Sequence, residues 1–438
     1  MKKLLLASAI LLATAADLCA QSAIYACGHI RRTRTQAIEK LCYSGYTTAI
    51  LFNVNVEDDG SLTTDFNWST QQAAEAGGII CRDGKYIFDQ YQPNYVSDIK
   101  RLLTQPTSID RIEICIGGWG NGSYGHIRDY INAHGAGEET ALYRNFKALK
   151  EAIPEITAVN NDQEQDYDLS TAITFHRMLA DIGYTTTVAP YTNRDYWKQL
   201  VSALNKTPGT CDLVYLQTYG GGAYNNPNDW KVFGDIPMLV GFDCEASADI
   251  NGMESKFTNW RDNCGAVGGF LWNYNSEARD VHQWATTINR IFTPAPEKPV
   301  ATFYADTNYG GYAVSLAEGS YNRTQLARLG IKTKDIASLK LADGYKVTLY
   351  RGSECDKTST VITESTEDVG TRWRNQTVSL AIEKNEEGGI DGVEADATAA
   401  ESQFINLQGQ TVAAPVAGNL YLCRRGTSVT KVISTFTI

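Results

Sequence analysis

From residue 23 to 292, short apolar runs alternate with longer stretches of mixed polarity. Runs that read as buried strands lie at 24–30, 47–54, 111–116, 156–160, 185–190, 212–217, 237–242 and 267–272. Between them, the apolar positions of 141–152, 170–182, 196–204 and 281–292 recur at the period of an amphipathic helix. Strands that alternate with helices in this way predict an α/β fold, parallel βαβ units closed into a (β/α)8 TIM barrel over residues 21–293. One insertion, residues 57–110, is long enough to form a lobe over the catalytic end of such a barrel.

The pattern then changes. Residues 292–299 hold three of the chain's eleven prolines, which reads as a semi-rigid spacer with its core at 294–299. Short strands with turn residues follow at 301–305, 312–316, 337–341, 346–350, 360–363 and 377–382, predicting an all-β Greek-key domain over 300–383. An acidic, glycine-containing linker at 384–394 leads to a small β module at 395–438.

Residues 1–20 read as a secretion leader: Lys2 and Lys3, an apolar stretch, then Leu18-Cys19-Ala20. Leu18 stands where a lipoprotein signal wants a small side chain. No later segment approaches the length of a membrane-spanning helix. The expectation is a secreted or cell-surface chain, with the periplasm as the alternative. Ten cysteines, less Cys19, leave an odd number, so at least one stays unpaired. Most read as small buried hydrophobes, with Cys42–Cys81 or Cys244–Cys264 as candidate bridges.

Charge narrows the ligand. Lys+Arg 39 against Asp+Glu 50 gives a net charge of -11, which argues against nucleic acid and anionic lipid. The 24 Tyr and 8 Trp supply flat faces suited to sugars.

In a barrel of this type the chemistry sits where strands end. The fourth strand ends Thr157-Ala158-Val159-Asn160-Asn161-Asp162-Gln163-Glu164, and alternation puts Asn160, Asp162 and Glu164 on one side, facing the mouth. Carboxyls this close shift each other, which suits general acid work with the outer Glu164 protonated and the inner Asp162 ionised. The plain alternative is a solvated, inert acidic loop. The third strand ends Ile114-Cys115-Ile116-Gly117-Gly118-Trp119-Gly120; the sixth ends Gln217-Thr218-Tyr219; the eighth ends Leu271-Trp272-Asn273-Tyr274.

Taken in order, these segments resemble glycoside hydrolase family 18, the chitinase and endo-β-N-acetylglucosaminidase family, with its S-x-G-G and D-x-x-D-x-D-x-E signatures. The resemblance implies cleavage of β-1,4 bonds next to N-acetylglucosamine, with the substrate's own N-acetyl oxygen as nucleophile. It casts Glu164 as the acid, Asp162 as the group orienting the acetamide, Tyr219 as its hydrogen-bond partner and Trp272 as the floor beneath the sugar. Three positions depart from the signatures: Cys115 for Ser, Thr157 for the first Asp and Asn160 for the middle Asp. Asn160 can hydrogen-bond Asp162 but cannot share a proton with it. A non-catalytic, lectin-like GlcNAc-glycan binder is therefore the alternative. Gln163, where chitinases carry Trp, points toward N-glycan cores rather than chitin.

Further candidates carry plain readings beside functional ones. Gln217 faces the site or satisfies a backbone group; Asp243 and Glu245 contact substrate or are surface carboxylates; Trp119 stacks on sugar or packs. The glycine run before Tyr224 lacks the Lys-Ser/Thr of a phosphate loop. The five histidines form no H-x-x-x-H pair, so no catalytic metal or cofactor is expected, and His176 and His282 read as core or surface residues.

In the second domain, Phe303, Tyr304, Gly310, Gly311, Tyr312, Gly319 and Tyr321, then Gly344 to Tyr350, resemble the two Greek keys of a βγ-crystallin domain. Members of that family bind Ca²⁺ through N/D-N/D-x-x-S/T-S, and the matching positions here keep Asp335, Ser338, Asn375 and Ser379 as a degenerate site. Lys334 and the Leu residues that replace the last hydroxyl imply weak or no binding. The tail, with Asn406, Gly409, Val412 and Gly418 to Leu422, resembles C-terminal sorting modules of Bacteroidetes.

Overall fold

The computed structural model describes residues 21–27, 34–64, 78–274, 280–385, 403–406, 410–412, 420–425 and 428–433. The leader predicted at 1–20, most of the second linker and Gly409 and Gly418 of the tail lie outside them.

Eight strands carry the first part: β1 (Gln21–Cys27), β2 (Thr48–Phe52), β7 (Arg111–Gly117), β8 (Ile156–Asp162), β9 (Thr185–Val188), β10 (Cys211–Leu216), β11 (Met238–Asp243) and β12 (Gly268–Trp272). All neighbours pair in parallel, and the order β1-β12-β11-β10-β9-β8-β7-β2 closes into a barrel. Parallel neighbours need crossovers, and helices supply most of them. They are α1 (Arg34–Cys42), α2 (Tyr95–Leu103), α3 (Ser123–His134), α4 (Ala141–Ala152), α5 (Leu169–Ile182), α6 (Arg194–Leu204), α7 (Ile250–Cys264) and α8 (Val281–Phe292). The strands bury both faces. Ala23, Tyr25, Ile50, Phe52, Leu213, Tyr215, Leu239 and Phe270 fill the interior, and a larger apolar cluster lies between strands and helices.

The insertion after β2 holds an antiparallel sheet of four short strands, β3 (Asn55–Val56), β4 (Leu62–Thr63), β5 (Ile79–Arg82) and β6 (Lys85–Tyr86). Asn121 Nδ2 donates to Asn55 Oδ1 at 2.6 Å and Val56 N to Ser123 Oγ at 3.0 Å, which fastens this sheet to the loop leaving β7.

After the proline-rich stretch come two more sheets. One is β13 (Ala301–Tyr304), β14 (Ala313–Leu316) and β16 (Ser338–Leu341); the other is β15 (Gly319–Tyr321), β17 (Tyr345–Tyr350), β18 (Ser359–Ile362) and β19 (Ser379–Lys384). Strand β15 and the helix α9 (Arg323–Arg328) were not legible in the pattern, being too short for any period to show. This domain is docked on the barrel. Asn289 Nδ2 donates both to Gly45 O (2.8 Å) and to Ala327 O (2.9 Å). The Arg290 guanidinium lies 3.9 Å from the Tyr312 ring centre, Lys332 pairs with Asp280 at 2.8 Å, and Arg328 pairs with Asp110. His282 bridges the two parts: its Nδ1 is 2.8 Å from Ser44 O, and its Nε2 accepts from Thr333 N at 2.9 Å. Gly45 and Asp110 precede β2 and β7, so the docked surface includes loops that enter strands.

Residues 386–438 form a separate unit whose described part is a four-stranded antiparallel sheet of β20 (Gln403–Ile405), β21 (Thr411–Val412), β22 (Leu420–Arg425) and β23 (Ser428–Ile433). Neither candidate disulfide forms: Cys42, Cys81 and Cys264 are free, buried thiols. No helix among the described residues is long and apolar enough to cross a membrane.

Candidate active site at the barrel mouth

Alternation along β8 divides its side chains as the spacing requires. Asn161 turns outward and is locked by His176 of α5, Nδ2 to Nε2 at 2.8 Å, while His176 Nδ1 lies 3.0 Å from Thr186 Oγ1. Burial pushes the His176 imidazole down to about 3, so it stays neutral and pins the end of the strand. Asn160 and Asp162 turn inward and are almost wholly buried.

Asp162 meets the ends of two other strands. Its Oδ1 accepts from Gln217 Nε2 at 2.8 Å, and the same nitrogen donates to Ala189 O at 3.0 Å. Gln217 thus has both roles foreseen for it. Its amide also favours the ionised form of Glu164, so it acts on both carboxyls. On the β7 side, Gly118 N donates to Asp162 O at 2.7 Å. Gly117 adopts φ +110°, and a Cβ there would lie 2.2 Å from Asp162 O, so only glycine lets β7 approach.

Tyr219 follows β10. Its ring packs on Phe270 at 6.0 Å and occupies space left by Gly241, where a Cβ would come within 2.6 Å of Tyr219 Cε1. Trp272 closes the interior from β12, 4.8 Å from Phe52 and 5.4 Å from Tyr25 between ring centres. The peptide bonds Phe52-Asn53 and Trp272-Asn273, at the ends of the two strands flanking β1, are cis.

Both carboxyls are shifted upward. Burial, then the charge of Glu164, holds Asp162 well above the usual carboxylate range, and burial raises the half-buried Glu164 as well. The sequence placed the proton on the outer residue; burial raises both carboxyls. Burial first, then Asp162 and Glu164, drives the Tyr219 hydroxyl far up, so it is a neutral donor.

The remaining candidates separate. Asn160 makes no hydrogen bond to Asp162: its Oδ1 accepts from Tyr25 Oη and its Nδ2 donates to Thr187 Oγ1, both at 2.9 Å. Asp243 Oδ1 caps the following turn through Glu245 N and Ala246 N, and its charge acts on Tyr219. Trp119 is 73% exposed, which rules out a packing role. Tyr224 is fully exposed, beside a cavity of about 640 Å³ lined by Tyr167, Tyr191, Arg194, Asp195 and Asp229. Tyr191, on the wall of that cavity, donates from Oη to the main-chain O of Glu164 at 3.4 Å.

Sequence reading missed Tyr25, Thr187 and Glu113. Glu113 is fully buried inside the barrel, bonded to Arg111 Nε (2.7 Å), Tyr215 Oη (2.9 Å) and Thr187 Oγ1 (2.6 Å). A carboxylate at an inward position of an otherwise apolar strand was the signal available.

In the second domain, the two loops of the degenerate cation motif do meet, Lys334 N donating to Thr377 O at 2.8 Å and Asn375 N to Ile336 O at 3.0 Å. Their hydroxyls are already engaged within the domain. Ser338 Oγ donates to Asp306 O (2.6 Å) and accepts from Tyr309 N (3.1 Å). Ser379 Oγ repeats this with Gly352 O (2.6 Å) and Cys355 N (2.9 Å). Each serine pins a hairpin. Asp335 is drawn to the docked surface, where it acts on Tyr312 and Arg290. Among the described residues no cluster of His, Cys, Asp and Glu could hold a metal.

No family model and no curated protein matches this chain. Solved βγ-crystallin domains do. One from Flavobacterium johnsoniae is 34% identical over 20% of this chain and 99% of its own, with a TM-score of 0.20. A fifth of this chain is similar to a βγ-crystallin domain. A second, from Clostridium beijerinckii, is 35% identical over 19% of this chain and 95% of its own (TM-score 0.19). The N-terminal domain of Protein S is 28% identical over 20% and 97% (TM-score 0.19), and a clostrillin double mutant was solved in complex with nickel.

Proposed function

We propose that the barrel is a glycoside hydrolase of the family 18 type, a (β/α)8 enzyme cutting β-1,4 bonds beside N-acetylglucosamine on an exported glycan-processing protein. The observation that carries this reading is the Asp162–Gln217–Glu164 arrangement: two raised carboxyls served by one amide, beside the neutral hydroxyl donor Tyr219. Glu164, partly open and raised, is suited to protonate a leaving oxygen. Asp162 is suited to orient an acetamide and, as its carboxylate, to stabilise the cation that forms when the acetamide oxygen attacks the anomeric carbon. Tyr219 donates to that same oxygen, and Trp272 supports the ring. The exposed Trp119 and Tyr224 and the side cavity extend the contact beyond the reacting sugar. The C-terminal sheet fits the sorting-module reading, delivery to or beyond the outer membrane.

A second reading, a lectin-like binder, is favoured by Asn160, whose amide is taken by Tyr25 and Thr187 and offers Asp162 no second acid. Turnover decides between them. Wild type should release reporter from chitooligosaccharides or cut a glycoprotein N-glycan core, and Glu164→Gln should lower kcat at least a hundredfold. Binding without turnover in wild type leaves only the lectin reading.

A further inference from the structure

Past Asp162 the main chain leaves the sheet, and side chains hold it from there on. Gln163 N donates to Asn161 Oδ1 at 3.0 Å, and Asn161 is itself locked to His176 of α5. The Gln163 side chain is 1% exposed, and both ends of its amide are engaged. Its Oε1 accepts from Tyr196 Oη of α6, and its Nε2 donates to Asp166 O at 2.8 Å. The amide cannot be turned round, because its oxygen would then face the Asp166 carbonyl oxygen. Asp166 has φ +57°, a left-handed conformation that costs a non-glycine residue free energy and persists where the surroundings hold it. Arg128 of α3 adds a second hold, Nη1 to Asp166 Oδ1 at 3.3 Å. Glu164 lies inside this turn. Its main-chain O accepts from Tyr191 Oη at 3.4 Å, and the next residue, Gln165, reaches Asn121 O at 3.1 Å.

We infer that Gln163 is a positioning residue: with Tyr196 it fastens the 163–166 turn to α6 and so sets where the Glu164 carboxyl stands at the barrel mouth. This deepens the hydrolytic reading above and rests on it for the part that Glu164 plays. The position that pointed to a substrate preference in the sequence has another use in the fold, since a buried side chain with both amide ends taken cannot touch a glycan. The ionisable groups coupled to Glu164 by charge are Asp162, Tyr167, Tyr191 and Tyr219, none of them a cation. Burial is therefore what keeps the Glu164 carboxyl raised, and a turn that loosens admits water and lowers it.

Gln163→Met keeps the length of the side chain and removes both bonds. In the full chain, NMR titration of the Glu164 carboxyl should show its midpoint lowered by about half a pH unit or more. On a chitooligosaccharide reporter, kcat should fall roughly ten- to a hundredfold while KM stays within about twofold, the signature of a misplaced reacting group. The acid must be protonated to act, so the alkaline limb of the pH profile should move to lower pH together with the midpoint. Tyr196→Phe, which deletes a single hydroxyl, should shift the midpoint in the same direction and add little in the Gln163→Met background. It carries the test alone if Gln163→Met does not fold. A lower melting temperature with the Glu164 midpoint unmoved or raised reduces Gln163 to a structural role and overturns the inference, as does a raised KM with kcat unchanged. The titration needs no substrate: if the wild type shows no turnover, the hydrolase reading falls, and the midpoint alone decides whether Gln163 positions Glu164.

Discussion

A methyl group at Gly117 should do more damage than its size suggests. Gly117 holds φ +110°, a conformation costing an L-residue about 1–2 kcal/mol. Its Cβ would lie 2.2 Å from Asp162 O and 2.6 Å from Asp162 C, both backbone atoms that no rotamer change can move. Relief requires β7 and β8 to part, which strains the wall and weakens the 2.7 Å Gly118 N to Asp162 O bond. Overpacking of this kind costs about 1–3 kcal/mol. The reduced freedom of the unfolded alanine chain returns somewhat under 1 kcal/mol. The net for Gly117→Ala is about 2–4 kcal/mol, from the same sources. Gly120→Ala is the control, since Gly120 has φ +75° but nothing within 4 Å of its Cβ position. It should cost only the conformational part, about 1 kcal/mol. Urea unfolding followed by far-UV circular dichroism reads both variants on one scale. Equal midpoints for the two would refute the close approach of β7 to Asp162.

Other outcomes follow from the same structure. His282 is held neutral, its value lowered first by burial, so its contribution to stability is present above about pH 6.5 and is lost as pH falls below that. The denaturant midpoint should drop between pH 7.5 and 5, and His282→Gln should reduce that drop; an unaltered drop counts against the bridge. Trp119→Ala and Tyr224→Ala should leave the melting temperature within a degree or two. Each should weaken binding of long glycans by up to about tenfold while sparing short ones, as isothermal titration would show. Millimolar Ca²⁺ should not raise the melting temperature, because Ser338 and Ser379 are committed to hairpins. A rise of several degrees would show that the loops rearrange to bind it.

Much of the barrel was legible because parallel strands buried on both faces read as unbroken apolar runs. The mouth was legible where alternation alone decides direction, as at Asn160 and Asp162. The partners were not. Whether Asn160 serves Asp162 or Tyr25 depends on β1 lying across the barrel, a juxtaposition set by closure and not by spacing along β8. Asp335 and Ser338 matched a motif, yet long-range packing decided their use: one is claimed by the docked surface, the other by a hairpin thirty-odd residues away. Cys42 and Cys81 even share one apolar cluster, yet both remain free thiols, because burial in a common core does not by itself bring two sulfurs together.

The bonds that Asn289, Arg290 and His282 make with Ala327, Gly330 and Thr333 bear on how the protein could be divided. The proline stretch looks like a seam, yet cutting there would strip α8 of its cover and leave Arg290, already short of one hydrogen-bond partner, facing water. Neither fragment would inherit a finished exterior. Heated, the barrel and its β companion should therefore melt in one transition.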